Sequence, residues 1–451
     1  MSRPSKHGLP SADEAVAHVE AALAQSPADE TEIVWLGVRR GRAGTGAEAG
    51  LRGYGTALVR VIDRGRMGSY RTGGSDAAEL ADAVRQAIAQ SRVKEPLPGL
   101  PHLPCDESPV EEVSGRYDDR LASWTPAEAT AWLDGLALDG AGADLDWADA
   151  MVLVSNSRGL RRRARVTAVE LEVRPRSGVG PGASDASRTL DGLGIDAVLE
   201  RAEARRSGGP VLDLPSGPRP LVLAPEVTAA LADLLNRVAL SAAAYSDGTS
   251  LLREHLGVQV FDRSLDVVDD GRDAAGLPFP FDLEGTAKRR VELVSKGTPR
   301  TPALDQRQAA QLGLPPTGCS VSGNDALAMN LIVVPGEASD MSLLDAAEGG
   351  LWVGALDGLE CLDAARLEFR AHARGLRHIR EGALAERAPD ALWHDSLLRL
   401  LSERPLLGAS RARRLSRDGF LGGILAPAVT VSGEALQALE GSAVQRTKTS
   451  V

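Results

Sequence analysis

Pro280-Phe281-Asp282-Leu283-Glu284-Gly285, then Lys288-Arg289-Arg290 and Val291-Glu292-Leu293-Val294, close the stretch from which the fold of this chain is read. The stretch opens at Val222. Ala224-Pro225-Glu226-Val227 begins a run rich in Leu and Ala that reaches Ala244. Within it Val227, Leu231, Leu234 and Val238 recur at offsets of four, seven and eleven, one face of an α-helix, and Pro225 suits its first turn. Asp262 to Gly271 sets Leu265, Val267 and Val268 between acids and ends on glycine, a strand running into a turn. Helix, strand, turn and strand in this order predict an α+β region that is rich in β-structure.

Working outward, Ser11 to Gln25 has the period of an amphipathic helix, capped by Ser11 with Glu14 three residues on. Strands follow at Thr31 to Val38, Gly55 to Ile62 and Gly68 to Tyr70, the last two joined at Asp63-Arg64-Gly65. Ser75 to Ser91 is a helix with Leu80, Ala83, Val84 and Ile88 on one side. Prolines between Val93 and Pro109 mark a connector. Beyond it come a helix from Thr125 to Leu138 and strands at Asp144 to Ser155 and Leu160 to Arg174. A glycine-rich tip at Gly178 to Ser187 and a helix at Ile195 to Ser207 follow. Further on, Leu327 to Pro335 reads as a buried strand and Trp352 to Gly358 as a strand that reverses at Asp357-Gly358. Arg366 to Ala373 is a half-buried strand, Trp393 to Ser402 a helix, and the Ala383 to Leu407 segment carries an Ala- and Leu-rich helix. The expected division is 1–92, a mixed α/β amino-terminal domain; 93–109, a linker; 110–216, a middle α+β region; 217–440, a large β-rich domain; and 441–451, a tail.

Composition narrows the function classes. Of 451 residues 43% are hydrophobic but only 3% aromatic, so Leu, Val and Ala must fill the cores. No apolar run reaches the roughly 18 residues of a membrane span, and the amino terminus lacks a signal-peptide core, so a soluble cytoplasmic protein is expected. A net charge of -11 argues against a nucleic-acid surface; Arg161-Arg162-Arg163 and Arg411-Ala412-Arg413-Arg414 read as solvated faces. Cys105, Cys319 and Cys361 are widely separated and show no CxxC pairing, so neither a disulfide framework nor a cysteine-rich zinc knot is indicated. There is no P-loop, no Gly-x-Gly-x-x-Gly and no Gly-x-Ser-x-Gly.

The Phe281 to Gly285 motif with its basic strand resembles the TldD/PmbA family, also called the modulator-of-gyrase or microcin-processing family. Thr317-Gly318, Met329-Asn330-Leu331 running to Pro335-Gly336, Gly350 to Gly358 and the amino-terminal Gly53-Tyr54-Gly55 unit occur in the same order. That family contains zinc peptidases. The resemblance implies a His-Glu-x-x-x-His segment on the helix that opens the stretch, with a cysteine near the carboxy terminus. Here the matching positions read Asn236-Arg237-Val238-Ala239-Leu240-Ser241, and Asp418 to Gly433 contains no cysteine. Neither amide nor hydroxyl replaces a neutral imidazole on zinc, and Arg237 sets a positive charge where the base belongs. No zinc or other cofactor is therefore expected. The resemblance is to the zinc-less PmbA/TldE-type branch. It implies a non-catalytic subunit that binds peptide and pairs with a zinc-bearing TldD-like subunit, or with itself as a dimer.

Other chemistry stays open at this point. Asp282 and Glu284, on one side of an extended segment, are residue types that hold a metal or exchange a proton. The structural alternative gives them backbone amides, or Arg289 or Arg290, as partners, with Gly285 permitting a turn. Asn330 is a further cleft or structural residue. His372 and His378, with Glu381 nearby, would meet in a hairpin, and His394-Asp395-Ser396 has triad residue types without triad spacing. His255 follows Glu254, but Gln259 stands where a second zinc histidine would be. The alternatives are thus an enzyme with a re-invented site and a homodimeric peptide-binding scaffold.

Overall fold

The computed structural model describes residues 9–105, 110, 112–136, 138–175, 181–205, 210–248, 250–321, 325–415 and 421–439. Its first layer is an antiparallel sheet of six strands in the order β3-β2-β1-β4-β5-β6. These are β1 (Glu30–Gly44), β2 (Ala47–Asp63), β3 (Arg66–Thr72), β4 (Gly142–Asn156), β5 (Arg161–Arg174) and β6 (Ala183–Ser187). Strands from 1–92 and from 110–216 are neighbours in it, with Trp35 opposite both Ala57 and Leu153. Arg64 and Gly65, at φ 51° and 71°, make the tight left-handed turn between β2 and β3.

Alternation in β1 and β4 gives this sheet two apolar faces. Ile33, Trp35, Met151 and Leu153 face α1 (Ala12–Ala24) and α2 (Ala77–Arg92). Toward the other end Leu145, Trp147 and Val169 lie under α3 (Asp119–Ser123), α4 (Pro126–Asp134) and α5 (Ile195–Ala204). The opposite face carries Val34, Leu36, Val38, Ala150, Val152 and Val166, and packs on Phe279, Phe281, Leu283 and Met329 of the carboxy-terminal part. The motif that decides the fold is thus also the floor on which the first layer rests. Reciprocal capping boxes start α1 at Ser11/Glu14 and α4 at Thr125/Glu128.

The second layer takes in β7 (Arg219–Leu223), β8 (Val267–Asp270), β9 (Arg290–Ser295), β10 (Thr298–Pro299), β11 (Asn330–Val333) and β12 (Leu351–Val353). It continues with β13 (Ala355–Asp363), β14 (Glu368–Arg374), β15 (Arg377–Arg380), β16 (Ala383–Arg387), β17 (Ala391–Ser396), β18 (Leu406–Leu415), β19 (Gly423–Gly433) and β20 (Gln437–Ala438). Among the described residues these form a ten-stranded mixed sheet, β10-β9-β8-β11-β19-β7-β12-β15-β16 with β18 on β19, and a four-stranded sheet, β13-β14-β17-β20. The fold is α+β, as expected. No helix among the described residues is long and apolar enough to cross a membrane.

Several expectations need correction. The Leu/Ala run is α-helical as α6 (Pro225–Leu235) and again briefly at Ala242–Ser246; between them Asn236–Leu240 winds as a π-helical turn and Ser241 is extended, at φ -75° and ψ 148°. The wider winding shifts the register, so Val238 is half-buried while Ala239 and Leu240 take the fully buried positions. The supposed helix from Trp393 is strand β17 up to Ser396, because Trp393 and Asp395 alternate inward, and helix only at Leu397–Ser402. The Ala- and Leu-rich stretch begins as strand β16. Asp357-Gly358 makes no reversal: Gly358, at φ 60°, sits in a bulge of β13, and the chain turns later, before Leu367. Ala183–Ser187 is a buried edge strand rather than a tip, held by pairing with β5; residues 178–180 of the expected tip, Gly208-Gly209 and the tail from 441 lie outside the described residues.

Gly285 marks a close approach between the layers. Its φ is 77°, and a Cβ there would stand 2.6 Å from Leu160 Cδ2 of the first layer. Gly285→Ala is expected to lower stability by about 1–3 kcal/mol through backbone strain and overpacking, read as an earlier midpoint in urea. An unchanged midpoint would show that the seam yields without cost.

Candidate functional site

The positions that the family resemblance assigns to zinc are all engaged elsewhere. Asn236, 4% exposed, presents its whole amide to one residue: Nδ2 donates to Ala328 O at 3.0 Å and Oδ1 accepts from Ala328 N at 3.1 Å. Asn236 thereby ties the π turn to the segment before β11. Arg237 pairs with Asp233 one turn back, at 2.7 Å, on the half-buried stripe of the helix. Ser241 Oγ donates to Arg237 O at 2.8 Å and accepts from Ala244 N at 3.2 Å, starting the next short helix. The carbonyls left by the break are met as well, that of Ala239 by Ser250 Oγ at 2.6 Å and that of Leu240 by Ala303 N at 2.7 Å.

The winding of this turn matters. Residues five apart lie about 140° apart on an α-helix, whereas a turn closed by i→i+5 bonds brings them back toward one side. Positions 236 and 241 are five apart. The backbone that would stack two such side chains is present, but an amide and a hydroxyl committed to backbone groups occupy it, so the residues here do not fit zinc. Among the described residues, no three His, Cys, Asp or Glu side chains gather as a metal site would require.

The Asp282–Glu284 pair lies in a tight turn, not on one face of a strand. Gly285 N bonds Asp282 O at 2.9 Å and Asp282 N bonds Thr286 O at 3.0 Å. Asp282 accepts from the amides of Glu284, Thr286 and Ser320 at 2.9, 2.9 and 3.0 Å. Burial and the neighbouring Glu284 push its carboxyl upward, against the pull of those amides. Glu284, wholly buried, takes Gln306 N at 2.9 Å and the Arg60 guanidinium, which reaches across from β2. Arg60 also holds Glu32, its direct cross-strand neighbour, at 2.8 Å. The expected partners Arg289 and Arg290 are not used: Arg289 donates to Pro316 O at 2.8 Å, and the acid's true partner is more than two hundred positions earlier in sequence. Beside this cluster Lys288 and Asp269 form a fully buried pair at 2.7 Å. Asn330 bridges the adjacent turn, donating to Asp270 O at 2.5 Å and accepting from Leu277 N at 2.6 Å.

The histidines do not converge. His372 is exposed on β14, while His378 is 8% exposed on β15 of the other sheet. Asp395 is spent on Arg399, Trp393 Nε1 and Glu434 N, and Ser396 Oγ donates to Arg366 O at 2.7 Å, so no triad forms at His394. His255 bonds the carbonyl of Leu251 within its own turn, at 3.0 Å.

One open space was not legible from the sequence. A cleft of about 790 Å³ lies between the first layer, at Asp146, Glu170 and Glu172, and the second, at Trp352, Arg377 and Arg387. Glu226 and Ala230 of α6 reach it. They stand on the helix stripe that continues through Asp233 to Arg237 at helical spacing. Arg205 lies 5.2 Å from the Trp352 ring centre and pairs with Glu226 at 2.5 Å. The free edge of β6 is already closed, since Ser184 N bonds Glu226 at 3.0 Å and Ser184 O takes Arg201 at 2.7 Å. Burial raises the Glu170 carboxyl to about 7, with Arg414 drawing it back. The sequence signal for this wall was the alternation Asp144-x-Asp146 against Glu170-x-Glu172, which the strand register sets opposite one another.

Comparison with known proteins bears on this geometry. The family described as PmbA/TldA metallopeptidase C-terminal domain matches residues 216–437. TldE from Thermococcus kodakarensis has a similar structure, with a TM-score of 0.79 and 19% identity over 94% of this chain and 99% of that one. A protein described as a modulator of a DNA gyrase, from Thermotoga maritima, gives 0.75 and 20% over 94% and 99%. A second modulator of DNA gyrase, from Bacteroides thetaiotaomicron, gives 0.73 and 17% over 95% and 98%. At these identities the likeness is one of fold. No curated protein sequence gives a significant match.

The seam makes stability depend on pH. Burial raises Glu32 to about 7 from 4.5, with Arg60 lowering it and Glu284 and Asp282 raising it. The folded state therefore binds this proton more tightly than the unfolded chain. Its contribution is full below the unfolded value and is lost as pH rises through about 7. Glu32→Gln, which keeps an acceptor for Arg60, should flatten the fall in thermal midpoint between about pH 5 and 8. A wild-type profile unchanged by the substitution would contradict this.

Proposed function

The chain belongs to the TldD/PmbA family, and from that premise we propose that it is a non-catalytic, TldE/PmbA-like subunit. It binds peptide and pairs with a zinc-bearing TldD-like protease subunit in the cytoplasm, in proteolysis or peptide maturation. The observation that carries this reading is Asn236. An amide whose Nδ2 and Oδ1 are both held by Ala328 is turned to the backbone and offers no imidazole nitrogen to a metal, and Ser241 is likewise held by the backbone. What remains is a body with an interdomain cleft and a helix stripe leading from that cleft to the altered motif. The re-invented site has less support, because His372 and His378 lie in different sheets and the Asp282–Glu284 pair is consumed at the seam.

Peptide cleavage and bound zinc, measured for the pure chain and for its mixture with a zinc-bearing TldD-like subunit, test the proposal. The chain alone should hold no stoichiometric zinc and cleave nothing, with or without added metal. The mixture should form a stable complex and cleave. Zinc-dependent cleavage by the isolated chain, or failure to associate with any such subunit, would overturn it.

A further inference from the structure

We propose that the free stretch of β2, from Ala47 to Gly53, is a docking edge for a second copy of this chain, paired antiparallel about a two-fold axis at Gly50. β3 pairs with β2 only from Ala57 to Asp63. Before Ala57, β2 is the border of the six-stranded sheet and is held by β1 alone. Among the described residues no backbone group outside β1 bonds the stretch from Ala47 to Tyr54. Ala47, Glu48, Gly50, Arg52, Gly53 and Tyr54 are exposed. A row of amides and carbonyls left open in this way is a template for another strand. Leu9 meets Gly53 in the direction a Cβ would take, from the face of the sheet and not along its edge.

Charge complementarity selects a second copy as the occupant. The direct neighbour of Arg52 on β1 is Arg40, a like charge. Arg40 turns to Asp146, at 3.3 Å, and among the described residues no carboxylate pairs with Arg52 and no cation with Glu48. With Gly50 on a two-fold axis, Glu48 of each copy stands opposite Arg52 of the other, so the seam gains the match twice. In the same register Ala49 faces Leu51 on the other side of the sheet, where both pack beside Trp147 and Leu145. Opposite charges thus meet on one face and apolar side chains on the other. Glycine-rich strands specify register poorly, and here the charges supply it. Moving the axis to Ala49 or Leu51 sets both charged side chains against glycine or Tyr54 and loses the match. The contact would also lengthen the cleft wall, because Arg42, opposite both Gly50 and Asp146, lines the cleft. It is independent of peptide binding and of pairing with a zinc-bearing subunit.

Two measurements on the full chain test this. Sedimentation velocity from about 1 to 200 μM should show a reversible passage from monomer to dimer, since an edge of this length buries less than the roughly 1,200–2,000 Å² of a permanent interface. Arg52→Glu should weaken the dimer at least roughly tenfold, because symmetry turns one substitution into two like-charged contacts. Combining it with Glu48→Arg should restore the dimer. Gly50→Cys reports the register, and a Cβ there meets nothing within 4 Å, so the variant should fold. The axis sets position 50 opposite itself at roughly 4.5–5.5 Å between Cα atoms, within disulfide reach. Mild oxidation should therefore link two Gly50→Cys chains, whereas Glu48→Cys should link far less and the wild type, with its cysteines buried or half-buried, not at all. A chain that stays monomeric and unlinked, or a dimer that ignores Arg52→Glu and links equally from positions 48 and 50, would overturn the proposal. Loss of the Gly50→Cys link on adding an equal amount of a zinc-bearing TldD-like subunit would overturn it too, by assigning the edge to that subunit.

Discussion

One guanidinium joins the two layers. Arg60 leaves β2 at a position where a sheet residue normally meets solvent or a helix, and instead enters the carboxy-terminal part to meet Glu284 while keeping Glu32 at its side. Three side chains each no more than 5% exposed, with Asp282 and Asp305 acting on them, form a junction that is costly to desolvate and more costly to leave half-made. Its surroundings follow from that cost. Phe279, Phe281 and Leu283 exclude water, Gly285 lets the turn approach β5, and Asp282 closes the turn with three backbone amides. At the far edge Arg413 repeats the device by reaching Asp185 of β6, at 2.6 Å. The cleft lies along the same division between the layers, so its two walls are held in place by charges at the seam.

Within that frame the turn at Asn236–Leu240 is a finished structure. The Asn236 amide makes two backbone bonds, and the Ser241 hydroxyl is a helix cap. The π turn persists, and its broken carbonyls are met one by one. Such complete satisfaction of buried polar groups gives the turn a structural role that is independent of a metal. In the proposed function, this turn serves shape while the cleft beside it stays open.

Much of the fold was legible locally. The Ser11 and Thr125 caps, the Asp63-Arg64-Gly65 turn, the alternation of Phe369, Ala371 and Ala373, and the motif around Phe281 each carry a short-range signal. The misreadings share a cause. At Asn236 the period of the helix changes from one winding to another, which a pattern built on 3.6 residues per turn cannot register. At Trp393 a Leu-rich run that follows a short strand hid the strand, because its pairing with β14 is not local. The partner of Glu284 was missed for the same reason: Arg289 and Arg290 are near in sequence, whereas Arg60 arrives through the stacking of two layers. The cleft belongs to neither layer alone, so no single stretch announces it.

The central claim is that the Arg60–Glu284 contact couples the layers, and a double-mutant cycle measures it most directly. Arg60→Met, Glu284→Gln and the double variant are compared with wild type by urea unfolding at neutral pH. If the account holds, each single change costs about 3–5 kcal/mol because it strands a buried charge, and the double variant recovers a large part of that loss. Single losses that simply add in the double variant would show that the two groups sit together without holding the layers.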